Sequence, residues 1–507
     1  MKRIITSILL VISAIASSQT LSWNIADSFD NFSYSAAVCR IDSNDNIYTK
    51  YSTTLVQYGD ALGYIEKYNA GGTRDTSFGT NGVLALNPLL PGSGSKYVYS
   101  FEITNDQKLL FLAKSGSLLY FLRLNTDGTL DTTLNGTGVK QILTDTNRYY
   151  EHFSPSMIKE GNNYFMSHNF DTILNQRLAE VHCFDDSANL VTTFANQGHF
   201  LVNYGALYTS YCSIRSIFYT NNSLYISGTG YVNSTTNDRY LTKLNPTTGQ
   251  PDTNFGTNGQ LLFNDRIPSL IQADGKIIYI RSVDISPAQQ DLQATRYLAD
   301  GTVDSTFANN GTMTVAAAWT SSSYVKPYNL PNGDILLHYR LTLFASDKDA
   351  VMYVTNAGVK NTSFGGNVID NGNPVLGSFG LPTYKANPGN LSLGTNYFVT
   401  TSERQALPQS ITTTKINYTF QTLSSNDNNL SGFKILPNPS DSEINIVSSE
   451  AFTTVQIYNI EGRLLQTSVT TNPMLEKRLD ISSLSKGVYI VEVQSENKRE
   501  IQKLIKN

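Results

Sequence analysis

One spacing constrains this chain more than any other property. A marker position recurs at Asp75, Asp131, Val191, Asp252, Asp304 and Asn361, a period of roughly 57 residues. Its clearest setting is Ile65-Glu-Lys-Tyr-Asn-Ala-Gly-Gly-Thr-Arg-Asp75-Thr-Ser-Phe78-Gly-Thr-Asn-Gly82. The order returns from Leu122 through Asp131 and Leu134 to Gly138, and from Leu241 through Asp252 and Phe255 to Gly259. Weaker copies run from Val181 through Phe194 to Gly198, from Arg296 through Phe307 to Gly311, and from Met352 through Phe364 to Gly365. A polar turn followed by a short aromatic or aliphatic strand precedes each copy, at residues 46–48, 108–111, 163–165, 223–225, 276–279 and 334–337. A seventh stands at 396–399; the strand-like segment 412–420 follows it, but no Asp-x-x-Phe-Gly tail does. The chain therefore carries seven units, the last truncated.

One unit reads as four short antiparallel strands. Tyr64, Glu66 and Tyr68 alternate with their neighbours, so the two faces of that strand differ in character. Asn69-Ala-Gly-Gly72 and Asn125-Thr-Asp-Gly128 reverse the chain, because Asn, Asp and Gly tolerate positive φ. Asp75 and its equivalents are expected to accept backbone amides of the following turn, and Phe78 to anchor that turn in apolar space. Gly79 and Gly82 then permit the tight path into an outer strand at 83–86. One such sheet cannot bury both faces alone, so neighbours must stack. Seven in a ring suit the usual four to eight blades. The expected fold is all-β: a seven-bladed β-propeller of ~58-residue repeats, followed by a small C-terminal antiparallel β-sandwich. The outer strand missing from unit seven is expected from residues 21–25, which would close the ring by lacing its two ends together.

The pattern [LY]-x-[KR]-[YL]-N-x-x-G-x-x-D-[TS]-x-F-G-x-x-G resembles the delta-60 repeat of bacterial secreted and surface proteins, over about residues 33–420. The resemblance implies propeller blades. Val191 for Asp, Leu134 for Phe and the missing tail of unit seven depart from it.

The last part of the chain follows a different rule. Ile435-Leu-Pro-Asn-Pro-Ser440 leads to Glu443-Ile-Asn-Ile-Val447, then Val455-Gln-Ile-Tyr-Asn-Ile-Glu-Gly-Arg463 and Leu479-Asp-Ile-Ser-Ser-Leu-Ser-Lys-Gly-Val-Tyr-Ile-Val-Glu-Val493. A basic Lys503-Leu-Ile-Lys-Asn507 ends it. Pro437 and Pro439 remove donors, so the stretch before Glu443 reads as linker rather than strand. Alternation at Ile444, Ile446, Val455 and Ile457 reads as half-buried strands, with turns at 459–462 and 486–487. In order and spacing, these motifs closely resemble the C-terminal sorting domain of the type IX secretion system of Bacteroidetes. The resemblance implies that residues 434–507 engage the type IX secretion machinery. It also implies a secreted or surface, outer-membrane-associated location reached through the periplasm. The opposite end agrees. Met1-Lys-Arg3, an apolar run from Ile4 to Ile15 and the small residues Ala14-Ile-Ala16 read as a signal peptide over 1–18. The run is too short for a permanent span, and no other stretch approaches that length, so no membrane-spanning segment is expected in the mature chain. The expected domains are 1–18 signal peptide, 19–420 propeller, 421–433 linker and 434–507 sorting domain.

Charged residues make up 15% of the chain and the formal net charge is −4, with the signs interspersed, so a nucleic-acid partner lacks its basic footprint. Three cysteines, Cys39, Cys183 and Cys212, leave at least one without an intramolecular partner. Cys183 and Cys212 could pair; the favoured reading is buried apolar thiols on strands. The stretch from Asn125 to Asp131 has the oxygen density of a calcium loop but no glutamate at the twelfth position, so it reads as a turn. His152, His168, His182, His199 and His338 form neither HExxH nor zinc-site spacing with cysteine. His182 reads as an exposed strand position whose counterparts are Arg123 and Lys243. No nucleophile elbow, phosphate loop or dinucleotide fingerprint is present. No catalytic, cofactor-binding or metal residue is assigned, and no cofactor is expected. Paired carboxylates for glycoside hydrolysis stay open, because they need not be adjacent in sequence. The leading expectation is an exported surface or secreted binding or adhesion scaffold, with a glycan or protein ligand on the propeller loops. The alternative is a polysaccharide-acting enzyme using the central channel, and a third is a part of gliding or adhesion machinery. Fold alone does not choose among them.

Overall fold

The computed structural model describes residues 20–28, 32–55, 61–143, 148–149, 155–172, 176–202, 211–231, 237–263, 267–286, 289–315, 325–342, 347–362, 364–370, 373–376, 378–384, 386–404, 410–418, 433–459, 464–494 and 499–507. The expected signal peptide, and residues 421–432 of the expected linker, lie outside them. The chain divides into two compact units, 1–419 and 420–507. Among the described residues every regular element is a strand except the 3-10 turn Asn87–Leu89.

Among the described residues of the first unit the strands form five four-stranded antiparallel sheets, a two-stranded hairpin and a nine-stranded sheet, whose two antiparallel groups on either side of a single parallel bridge are the third and fourth sheets below. The first sheet runs Phe32–Ile41, Ile47–Leu55, Ala61–Tyr68 and Val83–Ala85 from inside to outside. The innermost strands of the other six are Lys96–Ile103, Ser156–Glu160, Tyr211–Thr220, Leu270–Ile271, Val325–Asn329 and Ala386–Leu393. Each innermost strand packs against the next, and Ala386–Leu393 packs back against Phe32–Ile41, so the circuit closes. The third and fourth sheets are additionally joined by one parallel bridge, Arg177↔Tyr211.

The middle strands show why the sheets must stack. Leu109–Ser115 is apolar on both faces: Leu109, Phe111 and Ala113 pack with Tyr48, Ile65 and Phe78 of the first sheet. Leu110 and Leu112 pack with Tyr164, Met166 and Phe184 of the third. A strand buried on both faces loses the alternation of a half-exposed one and reads as a continuous apolar run. Each such leucine stabilises the stack by about 1.5–3 kcal/mol relative to exposure.

The seventh sheet consists of Ala386–Leu393, Tyr397–Arg404 and Ser410–Asn417, with Thr20–Ser28 as its outermost strand. Thr20–Ser28 runs antiparallel to Ser410–Asn417, from Thr20↔Asn417 to Ser28↔Ser410. The sixth sheet holds a feature the repeat did not announce. Its outermost strand is Ser378–Tyr384, and a separate hairpin, Gly365–Asp370 with Asn373–Leu376, intervenes after the unit's tail.

Among its described residues the second unit has five strands, Lys434–Leu436, Glu443–Asn459, Leu464–Asp480, Gly487–Gln494 and Arg499–Lys506. The long Glu443–Asn459 pairs near its start with Lys434–Leu436 and near its end with Gly487–Gln494, and Leu464–Asp480 pairs with it along both stretches. Ile435, Ile444, Ile446, Val455, Ile457, Val491, Val493 and Leu504 form the core. The expectation of a linker throughout the stretch before Glu443 is corrected here. Lys434–Leu436 is a strand that buries Ile435, because the donors are lost only from Pro437 onward. Residues 460–462 of the expected turn at 459–462 lie outside the described residues.

Candidate functional site

The recurring aspartates each do two things. Oδ1 of Asp75, Asp131, Asp252 and Asp304 accepts the amide two residues on, from Ser77, Thr133, Asn254 and Thr306, at 3.1 Å in each case. Oδ2 meets a basic residue of the third strand: Lys67 at 2.9 Å, Arg123 at 2.5 Å, Lys243 at 2.7 Å and Arg296 at 2.8 Å. Hydrogen bonds from Ser77 and Lys67 hold Asp75 below the usual carboxylate range. Burial alone would raise Asp131, but Thr133, Lys108 and Arg123 together bring it down to about 2.

The basic groups then reach the neighbouring sheet. Lys67 Nζ donates to Thr126 O at 3.1 Å, Arg123 to Asp186 O at 2.5 Å and Arg296 to Asn356 O at 2.5 Å. In the seventh sheet Lys415 donates to Ala70 O of the first at 3.0 Å. The same corner is also tied through backbone, by Gly79 N to Asp127 O at 3.3 Å, Ala195 N to Thr248 O at 2.7 Å and Ala308 N to Ala357 O at 2.7 Å. Through these basic residues the carboxylates of Asp75, Asp131 and Asp304 are committed to fastening sheet to sheet. Asp127, in the calcium-like stretch, is likewise engaged, accepting Thr129 N at 2.9 Å and Thr129 Oγ1 at 2.7 Å.

The third and sixth sheets lack the ion pair. Asp131 N donates to Arg123 O, and in the same way Val191 N donates to Cys183 O and Asn361 N to Tyr353 O. Cys183 is thus the counterpart of Arg123 and Lys243, and His182 is the counterpart of Leu122 and Thr242. This corrects the expectation for His182, which is 3% exposed rather than on a solvent face. A one-residue slip in a strand transfers a side chain to the opposite face, and the aspartate that fixes the alignment is absent at Val191.

That slip had concealed a cluster. His168 on Asn163–Thr172 lies directly opposite Glu180 on Arg177–Phe184. His182, two residues on from Glu180, shares its face. His199 lies opposite His182 on the outer strand His199–Leu201. The imidazoles stack, with ring centroids 5.0 Å apart for His168 and His182 and 5.7 Å for His182 and His199. His182 Nε2 is 3.1 Å from Glu180 Oε2. One donor atom from each of His168, Glu180 and His182 lies within 4.8 Å of the other two, and all three residues are buried. Phe170 and Phe184 flank them. No local motif joins these residues, since a hairpin separates His168 from Glu180; the available signal was four of five histidines between residues 152 and 199.

Cys39, Cys183 and Cys212 are free thiols and buried. Burial raises them to about 11, 12 and 12 respectively. Cys183 and Cys212 sit in one apolar cluster between the third and fourth sheets. Nearer the axis, Arg40 of the first sheet makes a two-pronged contact with Glu102 of the second, at 2.6 and 2.8 Å, and donates to Asn390 of the seventh at 3.2 Å. An open cleft of about 880 Å³ lies beside the outer strand of the fifth sheet, lined among others by Thr306, Asn309, Thr312, Thr314 and Lys360. Burial lowers the Lys360 ammonium, and no carboxylate lines this cleft among the described residues.

Residues 434–507 match the family described as secretion system C-terminal sorting domain. Residues 111–134 and 272–307 match the family described as domain of unknown function (DUF5122) beta-propeller. Solved structures similar to the chain include three β-rich ones. The β-propeller domain of the Trilobed protease from Pyrococcus furiosus shares 9% identity over 77% of this chain and 94% of its own, with a TM-score of 0.39. The polysaccharide lyase Uly1 shares 9% over 75% and 89%, with a TM-score of 0.44. Drosophila Plexin A in complex with Semaphorin 1b shares 7% over 79% and 88%, with a TM-score of 0.37. No curated protein matches the chain. The closed circuit of sheets and the family match at residues 111–134 and 272–307 make the first unit a β-propeller. The second is a type IX sorting domain, and the protein is one exported to the cell surface or beyond it.

Proposed function

We propose that the chain is a non-catalytic binding scaffold, in which a seven-bladed ring over residues 19–420 displays ligand-binding loops outside the cell. In this reading the N-terminal strand completes the seventh blade. Residues 421–433 are the linker, and 434–507 the removable label that engages the secretion machinery.

The observation carrying the proposal is a contrast between the two ends of the sheets. Strands alternate in direction, so connections from third to fourth strand share one end, with those from first to second. There the turn from Asn69 to Gly82 has the same length as those from Asn125 to Gly138, Asp185 to Gly198 and Leu298 to Gly311. Sheet-to-sheet fastening fixes that end. At the other end the second-to-third connections vary, from the tight Ser115–Leu118 link to longer ones after Leu55, Tyr231 and Arg404. A rigid frame at one end with unlike loops at the other is how repeat scaffolds carry recognition. The ligand of these loops is a glycan or a protein.

The test is an array of bacterial and plant polysaccharides and peptides probed with the purified mature chain, with product analysis on every hit. Retained binding without products is the expected result. Turnover of a bound polysaccharide would replace the scaffold with an enzyme.

A further inference from the structure

We infer that His168, Glu180 and His182 bind one zinc-class divalent ion, which rivets the second and third strands of the third sheet beneath the second sheet. This does not depend on what the loops bind. Two imidazoles and a carboxylate are a donor set that suits zinc and its neighbours, whereas calcium and magnesium call for oxygen-rich sets. The three donor atoms are already within 4.8 Å of one another. An ion held at about 2.0–2.2 Å from each needs them about 3.5 Å apart, a closure that modest side-chain rotations provide. His182 Nε2 and Glu180 Oε2, at 3.1 Å, are already inside that separation. The ring of His168 has to turn out of its stack on His182.

Two further observations favour a built site over packing. First, the fold does not require ionisable groups here. The cross-strand pair His168↔Glu180 is Ala113↔Tyr120 in the second sheet and Gly228↔Tyr240 in the fourth. His182 corresponds to Leu122 and Thr242. Second, the ion would sit in a sheet that lacks the basic–aspartate fastening, where Cys183 and Val191 stand. His199, directly across from His182 and half-buried, is the nearest further donor by register and would close a four-coordinate structural site.

The experiment uses the mature full chain without an added histidine tag. It is stripped with EDTA and titrated with Zn²⁺ and with Co²⁺, following heat of binding, cobalt absorption and melting temperature. We expect one ion per chain, a tetrahedral cobalt spectrum and a higher melting temperature. His168→Gln or His182→Gln should weaken binding by more than about 100-fold, since even outer-shell changes cost 10–100-fold. His338→Gln, in the sixth sheet, should leave it unchanged. Should the first two variants fold poorly, zinc-edge X-ray absorption on the unsubstituted chain decides the matter without them. Imidazole scattering with no sulfur supports the site; a sulfur shell moves the ion to cysteine and overturns it. Absence of stoichiometric binding, or binding unchanged in folded His168→Gln and His182→Gln, also overturns it.

Discussion

In the second sheet, Arg123 and Asp131 meet at 2.5 Å with almost no solvent around either side chain. In the third sheet the same two positions hold Cys183 and Val191, yet the backbone of the turn is nearly identical. Asp131 N to Arg123 O is 3.0 Å and Val191 N to Cys183 O is 2.9 Å; Gly138 N to Leu134 O and Gly198 N to Phe194 O are both 2.8 Å. The turn is therefore specified by its backbone bonds and its apolar anchor, Leu134 or Phe194, both fully buried. The ion pair is an addition that fastens the sheet to its neighbour, and in the six sheets that carry the turn its two members are present or absent together. Removing one alone would strand a buried charge, which costs far more than removing both.

The largest test of this comparison breaks half a pair. Asp131→Ala leaves the Arg123 guanidinium buried against Asp186 O, and should destabilise the propeller by about 3–5 kcal/mol in urea unfolding. The double substitution Arg123→Cys with Asp131→Val, copying the third sheet, should recover most of that loss. A double variant as unstable as the single one would show that the third sheet survives for some other reason.

The parts legible in the sequence are those fixed by local chemistry. The corner turns needed Asn, Asp and Gly at set offsets. Gly82, for example, takes φ +86° with no room for a Cβ beside the Arg74 side chain. The markers at 108–111 and 334–337 fall at the starts of the second strands Leu109–Ser115 and Ile335–Thr342 for the same local reason. Non-local features were not legible. The Lys67 and Arg123 pairs to aspartate required knowing that third strand and turn fold back on each other. Glu180 joins the histidines only through cross-strand register, and register was lost where Val191 replaced the aspartate. The hairpin at Gly365–Leu376 leaves no repeat signature, and Ile435 looked like linker because the prolines after it outweighed one short apolar pair.

Acid should separate the two sheets next. The Asp131 carboxyl sits at about 2 when folded, against 3.8 as its ordinary value. A depressed folded value means the contribution is complete above about pH 4 and is lost as pH falls through 2, because the unfolded chain takes up the proton first. The third sheet has no carboxylate at that position to protonate. Between pH 4 and pH 2, amide exchange relative to the intrinsic rate at each pH should therefore accelerate at the second-sheet corner, around Thr133 and Leu134, before it does around Thr193 and Phe194. Asp131→Asn should flatten the acid limb of the stability curve. Equal acceleration at both corners would mean that Asp131 does not govern the acid response.

The smallest effect comes from building the fastening where it is missing. Phe165 is paired with Cys183 as Tyr48 is with Lys67, and the Lys67 ammonium lies 5.7 Å from the Tyr48 ring centre. A lysine at 183 therefore has an aromatic surface along which to lay its stem on the way to an aspartate at 191. Val191→Asp alone places a carboxylate beside a thiol that burial holds at about 12, so it gains no partner there and should destabilise. Cys183→Lys alone replaces a fully buried thiol and should also destabilise. Together they should show a favourable coupling of about 0.5–3 kcal/mol in a double-mutant cycle, with a net stability near that of the natural chain. Zero coupling would mean that the corner of the third sheet differs from that of the second in more than the identity of two side chains.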